Sequence, residues 1–289
     1  MRILVGCMLV YTHWVWTAEL ATFFSGQGVF PADYQQAFTG GSPFVWSHFN
    51  WFDSAAWMWT THILSLVVLV AFTVGAWTRW TGILSFLIVV SYANRAGGAL
   101  FGLDQINSFL ALYLAIAPCG VLYSVDAWRL RKKQQHDSQS EPALSTMANL
   151  STRLIQLHLC VVYLFAGLGK LQGVSWWDGT AIWGALASYE YQTLDMTWMV
   201  HMPWLVNVVT LVSVFWELSY AFMIWGKLSR PIYLLLAVLV HLGIGAAMGM
   251  MTFGLIMLIA NLAFVSPEWS RRQVSRVAGL LGLKKGQGK

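Results

Sequence analysis

Charged residues are scarce in this chain. Asp, Glu, Lys and Arg make up 10% of its 289 residues, whereas hydrophobic residues make up 57%. A soluble domain usually carries about 25% charged residues, so this composition excludes an ordinary soluble fold. Apolar runs of about 20 residues recur along the chain, which is the length a helix needs to cross a bilayer. The sequence therefore predicts an all-α, multi-pass protein of the cell membrane.

Cysteine is also rare. Cys7, Cys119 and Cys160 fall in apolar runs without Cys-x-x-Cys spacing, which excludes a disulfide framework and a dithiol relay. No metal site is predicted either. The formal net charge is +5, but the Lys and Arg residues cluster in the flanks of apolar runs. Membrane lipids are therefore the expected partners, and nucleic acid is not.

Apolar runs bounded by polar or aromatic residues predict eight transmembrane helices. The predicted spans are 3–24, 56–77, 80–93, 106–123, 154–171, 203–225, 232–249 and 251–265. Gly249 supplies the turn that divides the last pair. Pro118 is expected to kink the fourth helix.

The basic residues predict the orientation of these helices. With both termini in the cytoplasm, fifteen of the seventeen Lys and Arg residues lie inside, as the positive-inside rule favours. The transmembrane domain then covers residues 1–267, and a cytoplasmic linker at 129–152 joins helices 1–4 to helices 5–8. Residues 268–289 form a basic amphipathic tail, which we expect on the inner leaflet. Only Arg95 and Lys170 remain outside.

The fifth predicted helix carries a polar stripe. Gln156, Cys160, Tyr163, Gly167 and Lys170 recur at alternating spacings of four and three residues, so they share one helix face. Ionisable groups are costly inside a membrane, and polar residues on one face lie against protein or a cavity rather than lipid. This face is the leading candidate for a functional site.

Lys170 has two interpretations. A lysine in an apolar site can act as a general base, because burial disfavours the ammonium form, and a nearby carboxylate would oppose that effect. A lysine at the outer end of its helix can instead extend to the lipid headgroups.

Three other polar residues are interpreted separately. His158 lies about a third of a turn from the stripe and is expected to contact a different neighbour. Glu217, on the sixth predicted helix, is read as either an interhelical hydrogen-bond partner or a functional group. Arg95 is expected to pair with Asp104 or with a lipid phosphate.

Three stretches resemble the horizontally transferred transmembrane (HTTM) domain, which is the membrane domain of vitamin K-dependent gamma-carboxylases. They read FGLDQINSFLALYLAIAPCGVLYSVDAW from Phe101, QLHLCVVYLFAGLGKLQGVSWWDGTAIW from Gln156 and HLGIGAAMGMMTFGLIMLIANLAF from His241. The resemblance covers most of residues 3–265 and is strongest in the second stretch.

The resemblance implies a chemistry. In the carboxylases, the lysine of an Ala-Gly-x-x-Lys stretch is regarded as the base that deprotonates vitamin K hydroquinone, and the matching residue here is Lys170. The implied cofactor is reduced vitamin K or a menaquinol-like quinone, with oxygen and carbon dioxide as co-substrates. His241 resembles a family histidine and would hydrogen-bond a quinone oxygen. Gly169 departs from the family pattern, since the carboxylases usually have a lysine there.

The predicted site combines the stripe with the resemblance. Its predicted catalytic residues are Lys170, His241 and His158, and its predicted cofactor-binding residues are Tyr163, Cys160, Gly167, Trp176 and Arg95.

The sequence favours an integral-membrane enzyme, a lyase resembling the carboxylases, which uses a lipid-soluble quinol to modify a small molecule or a secreted peptide. The alternative is a non-catalytic membrane module that binds lipid or a partner protein. The alternative is favoured by the missing soluble domain, since the carboxylases continue into a large extracytoplasmic domain and this chain ends soon after its last predicted helix. A transporter is a third interpretation, but no broken helix at the midplane supports it.

Overall fold

The computed structural model describes residues 1–38, 40, 42, 44–133 and 145–280, and these form helices and turns without a β-strand. The helices of the first half are α1 (Arg2–Val15), α2 (Leu20–Phe24), α3 (Ala32–Phe38), α4 (Ala55–Val74), α5 (Thr78–Arg95), α6 (Gly102–Ile116) and α7 (Val125–Lys133). Those of the second half are α8 (Thr146–Lys170), α9 (Val174–Trp177), α10 (Ala181–Leu186), α11 (Pro203–Met223), α12 (Ser229–Ala247), α13 (Met251–Asn261) and α14 (Pro267–Leu280). The all-α prediction is confirmed.

Each predicted span overlaps at least one helix, and four helices are long and apolar enough to cross a membrane by themselves. These four are α4, α8, α11 and α12. The prediction of one continuous first span is wrong, because α1 ends at Val15 and α2 begins at Leu20. Between them, the backbone turns at Thr17, and the Thr17 hydroxyl lies 2.9 Å from Nε2 of His62 on α4.

Two turn predictions have different outcomes. Pro118 ends the fourth predicted helix rather than kinking it: α6 stops at Ile116, and Ala117 is extended with ψ 145°. A residue before proline is held out of the helical region by the proline ring, which explains the early end. The division of the last pair is confirmed, since Gly249 adopts φ +69° between α12 and α13.

The predicted linker at 129–152 is helical at both ends, because α7 reaches Lys133 and α8 begins at Thr146. The Ser145 hydroxyl caps α8 by accepting a hydrogen bond from the Ala148 backbone N–H. Most of the predicted tail is α14, and the residues 134–144 and 281–289 lie outside the described part of the chain. The non-helical part of the predicted linker is therefore confined to the residues between α7 and α8.

The distribution of side chains is that of a membrane protein. Polar side chains such as His62, Thr210 and Asn261 are buried between helices. Large apolar side chains on the long helices, including Val67 and Phe215, are exposed at the surface. A continuous apolar surface of this kind is stable only against lipid or another apolar partner.

Gly167 allows the close approach of α8 and α11. A Cβ atom at Gly167 would lie 2.9 Å from Cγ of Leu218 and 3.0 Å from its backbone nitrogen, whereas a Cβ at Gly169 would meet nothing within 4 Å. The two glycines thus form a matched pair on one helix, because Gly167 has no room for a side chain and Gly169 has room for one.

Gly167→Ala is expected to destabilise the protein by about 1–3 kcal/mol, because the added methyl overpacks the helix contact. Gly169→Ala is expected to be neutral or to stabilise by up to about 1 kcal/mol through helix propensity. Thermal unfolding of both variants in detergent measures the difference. Equal shifts for the two variants would contradict this account of Gly167.

Candidate functional site

The predicted polar stripe on α8 faces the interior of the bundle. Gln156, Cys160 and Tyr163 are buried there, and Gly167 packs against Leu218 of α11. A cofactor would therefore not lie directly over Gly167, since Leu218 occupies that face. The Cys160 thiol lies within the hydrophobic core.

Lys170, at the end of the stripe, is paired with a carboxylate. Its Nζ donates a hydrogen bond to Oε2 of Glu217 on α11 at 2.6 Å, and this is the one salt bridge in the part of the chain that the structure describes. The side chains are 24% and 12% exposed. Lys170 is therefore held by protein rather than extended to the headgroups.

Trp176 completes the surroundings of the ammonium group. The Lys170 Nζ lies 5.2 Å from the centroid of the Trp176 ring, within the range of a cation–π interaction. The structure thus brings together two of the predicted site residues, Lys170 and Trp176.

A chain of hydrogen bonds lies deeper in the bundle. Asn261 Nδ2 donates to the Met257 carbonyl and to the Tyr163 oxygen, each at 2.9 Å, and Asn261 Oδ1 accepts from the Tyr220 hydroxyl at 2.6 Å. The Tyr163 oxygen lies 2.7 Å from Nε2 of His241. These hydrogen bonds therefore connect α8, α11, α12 and α13.

The direction of this chain assigns the histidine proton. The Tyr163 oxygen accepts from Asn261, and Nε2 of His241 is the one other hydrogen-bond partner of this hydroxyl among the described residues, so we assign the hydroxyl hydrogen to Nε2. A neutral His241 then carries its proton on Nδ1. That nitrogen is buried and has no hydrogen-bond partner among the described residues. An unpaired buried donor costs about 1–3 kcal/mol, so it needs an explanation.

The ion pair and the hydrogen-bond chain belong to one site. Trp216, next to Glu217 in α11, contacts the Tyr163 ring at a centroid distance of 4.9 Å and lies 6.1 Å from His241. The site therefore has an ionised outer part and a neutral, hydrogen-bonded inner part.

His158 lies on another face of α8, as its position in the helix predicts. Its ring stacks on Phe109 at 4.2 Å, and its Nδ1 is 2.9 Å from the Tyr113 hydroxyl. Both partners belong to α6. The structure therefore does not bring His158 together with Lys170 and His241.

Arg95 also lies apart from the other predicted site residues. Its guanidinium donates to the carbonyl oxygens of Phe30 and Ser25, the latter at 2.6 Å. The predicted pairing with Asp104 is wrong, since the Asp104 carboxylate instead accepts from the Phe101 backbone N–H. Arg95 thus fastens the segment after α2 to the end of α5, where free carbonyl groups need a donor.

Three residues of the site were not predicted as its members: Glu217, Asn261 and Tyr220. Glu217 is recognisable in the sequence as a carboxylate within an apolar run, but its lysine partner is 47 positions away. Asn261 is an amide at the end of the apolar α13. Tyr220 offers no sequence signal that separates it from core aromatic residues.

The fold and the site define a helical membrane protein with an ionisable, hydrogen-bonded centre inside its bundle. The chain belongs to the HTTM domain family, whose model matches residues 18–269. The resemblance recognised in the sequence is thereby confirmed at the level of the domain.

One characterised relative is the sporulation-delaying protein SdpB of Bacillus subtilis (strain 168). It is 27% identical over 210 residues, which are 71% of this chain and 63% of SdpB. The chain thus spans less than two thirds of the length of this relative. No solved structure matches the chain.

Proposed function

We propose that this HTTM protein is an integral-membrane enzyme that uses a lipid-soluble quinol, with Lys170 as its general base. The observation that carries the proposal is the Lys170–Glu217 pair, at 2.6 Å, beside a buried histidine with an unpaired nitrogen. Ionisable residues that face the interior of a membrane helix bundle are typical of functional sites.

The residues around His241 suit a flat ring with polar oxygens. Nδ1 of His241 is a buried donor without a partner in the described part of the chain, and a quinol oxygen is a matching acceptor. Phe253 and Trp216 place aromatic rings 5.9 and 6.1 Å from the His241 ring. When bound, a quinol would supply its hydroxyl protons and its electrons.

The ion pair gives the chain a way to accept a proton. In water the lysine would keep its proton, but a bound ligand that covered the partly exposed pair would remove the remaining solvation of the separated charges of Lys170 and Glu217. Transfer of the ammonium proton to the Glu217 carboxylate leaves a neutral pair with a free amine. Nζ of Lys170 could then accept a proton from a quinol hydroxyl, while Glu217 would retain the displaced one.

The substrate class extends the resemblance to the carboxylases. We propose a small molecule or a separately presented secreted peptide as the substrate, with reduced vitamin K or menaquinol as the cofactor. Oxygen and carbon dioxide would be co-substrates if the chemistry is carboxylation. The name of SdpB describes a delay of sporulation and identifies neither a substrate nor a cofactor.

A non-catalytic membrane module is the second candidate. It is favoured by the position of the Lys170–Glu217 pair, which links the ends of α8 and α11 and would hold these helices together without any chemistry. The two functions differ in what they require of the pair. A structural link needs opposite charges, whereas a catalytic base needs the amine at one position.

Exchange of the two charges separates these functions. The double variant Lys170→Glu with Glu217→Lys keeps an ion pair between α8 and α11, so we expect it to remain within about 1 kcal/mol of the parent in stability. If Lys170 is the base, quinol turnover in lipid nanodiscs should fall by about 100-fold or more. Retention of turnover or of the cellular phenotype in a folded double variant would favour the module.

We further propose eight membrane spans in the cell membrane, with both termini in the cytoplasm. The four long helices, the shorter apolar helices and the clustering of basic residues support this topology. Single cysteines at Lys133 and Tyr189, in a background lacking Cys7, Cys119 and Cys160, should react from opposite sides of sealed vesicles. Reaction of both from one side would overturn the topology.

A further inference from the structure

A groove of ≈ 540 Å³ runs between α12, α13 and the start of α14. Its wall is almost entirely apolar, with side chains such as Leu234, Val238 and Leu258. Its volume lies in the range of pockets that hold small ligands, about 300–1,000 Å³. The groove does not include Lys170, Glu217 or His241, and it adjoins the proposed catalytic site at Asn261.

Polar side chains collect at one end of this groove. Arg230 lies near the beginning of α12, and Ser266 and Trp269 lie where α14 begins, so all three reach the same end of the bundle. An apolar wall with polar groups at one end has the amphipathic pattern of a lipid, with an apolar chain and a polar head.

Arg230 is oriented before any ligand binds. Its Nε donates to the Ile224 carbonyl at 3.2 Å and its Nη2 donates to the Trp225 carbonyl at 3.1 Å. Nη1 has no partner among the described residues. A guanidinium that is held in place on one side presents its remaining donor with little entropic cost.

The other polar groups at this end are also donors. The Ser266 oxygen accepts from the Trp269 backbone N–H at 3.2 Å, which leaves its hydroxyl hydrogen free to donate. The Trp269 side chain is 51% exposed and carries an indole N–H. Further along α14 are Arg271, Arg272 and Arg276. The end of the groove is therefore complementary to an anion.

We propose that this groove binds an anionic phospholipid, with an acyl chain between α12 and α13 and the phosphate at Arg230, Ser266 and Trp269. Basic pockets between membrane helices suit anionic headgroups, since a zwitterionic lipid balances its phosphate with a cation and has no net negative charge. The bound lipid would join α14 to the bundle. It would also reach Asn261, which lines the groove and bonds to Tyr163.

Native mass spectrometry of the full chain in detergent, titrated with phosphatidylglycerol, tests the proposal. Phosphatidylglycerol should bind more tightly than phosphatidylcholine, and inorganic phosphate should not displace it. Arg230→Gln should weaken binding by about tenfold, the effect of losing one charge-assisted hydrogen bond. Lys227→Gln is the matched control, because Lys227 is an exposed cation near the same end that does not line the groove.

A second pair of variants tests the apolar wall without touching Arg230. Val238→Trp fills the groove and should weaken lipid binding, whereas Leu239→Trp adds the same bulk on an exposed neighbour outside it. Equal binding of the two lipids, equal loss in each matched pair, or displacement of phosphatidylglycerol by menaquinone would overturn the proposal. Because binding is read directly, its outcome does not depend on quinol turnover.

Discussion

Lys170→Ala is expected to reduce quinol turnover by about 100-fold to 10,000-fold, the range that a positioned general base contributes. The variant removes the proton acceptor and leaves the Glu217 carboxylate without its partner at 2.6 Å. The expected loss of stability is about 1–3 kcal/mol, because Glu217 can relieve its unpaired charge by taking up a proton. Turnover in nanodiscs and thermal unfolding measure the two effects independently.

Lys170→Arg is the matched control for this prediction. The guanidinium keeps the ion pair with Glu217 but does not release its proton, so the variant should be stable and inactive. A small external amine should partly restore the alanine variant and leave the arginine variant inactive. Full turnover in Lys170→Arg would mean that Lys170 acts only as a positive charge that holds α8 against α11.

Tyr163→Phe is expected to destabilise the protein by about 2–4 kcal/mol, because two buried groups lose their partner at once. The hydroxyl accepts from Asn261 Nδ2 and donates to Nε2 of His241. Asn261 keeps its bond to the Met257 carbonyl, whereas Nε2 of His241 is left without any partner in the described part of the chain. Thermal or denaturant unfolding measures the loss.

Tyr220→Phe is the control for the same chain of hydrogen bonds. Its hydroxyl donates only to Asn261 Oδ1, so its removal should cost about 1–2 kcal/mol and leave the His241 tautomer unchanged. The imidazole nitrogen signals of His241, measured by NMR, should shift in Tyr163→Phe and not in Tyr220→Phe. The opposite order of effects would contradict the assigned direction of the hydrogen-bond chain.

The sequence predicts features that depend on one helix. The stripe of Gln156, Cys160 and Tyr163 on α8 follows from helical periodicity, and the structure buries it as predicted. The position of His158 on a different face of α8 follows from the fixed rotation between successive residues of a helix. The turn at Gly249 was also predictable, because a glycine between apolar runs tolerates the φ of +69° that the turn requires.

Features that depend on pairing between helices were not predictable from one sequence. Lys170 and Glu217 are each visible as membrane ionisable groups, but periodicity does not reveal that α8 packs on α11. Asn261 reaches Tyr163 from a helix 98 positions further along the chain. Arg95 illustrates the reverse error: its position predicts a charged partner, yet two backbone carbonyls of a neighbouring segment accept hydrogen bonds from its guanidinium.

The central claim is that this HTTM protein binds a lipid-soluble quinol beside His241 and Lys170. Mass spectrometry of the lipids extracted from the purified protein tests it most directly, with His241→Ala as the comparison. The account predicts an isoprenoid quinone in amounts comparable to the protein, and its loss in the His241→Ala variant, which lacks the Nδ1 donor. A quinone content no higher than that of an unrelated membrane protein purified from the same cells would contradict the claim.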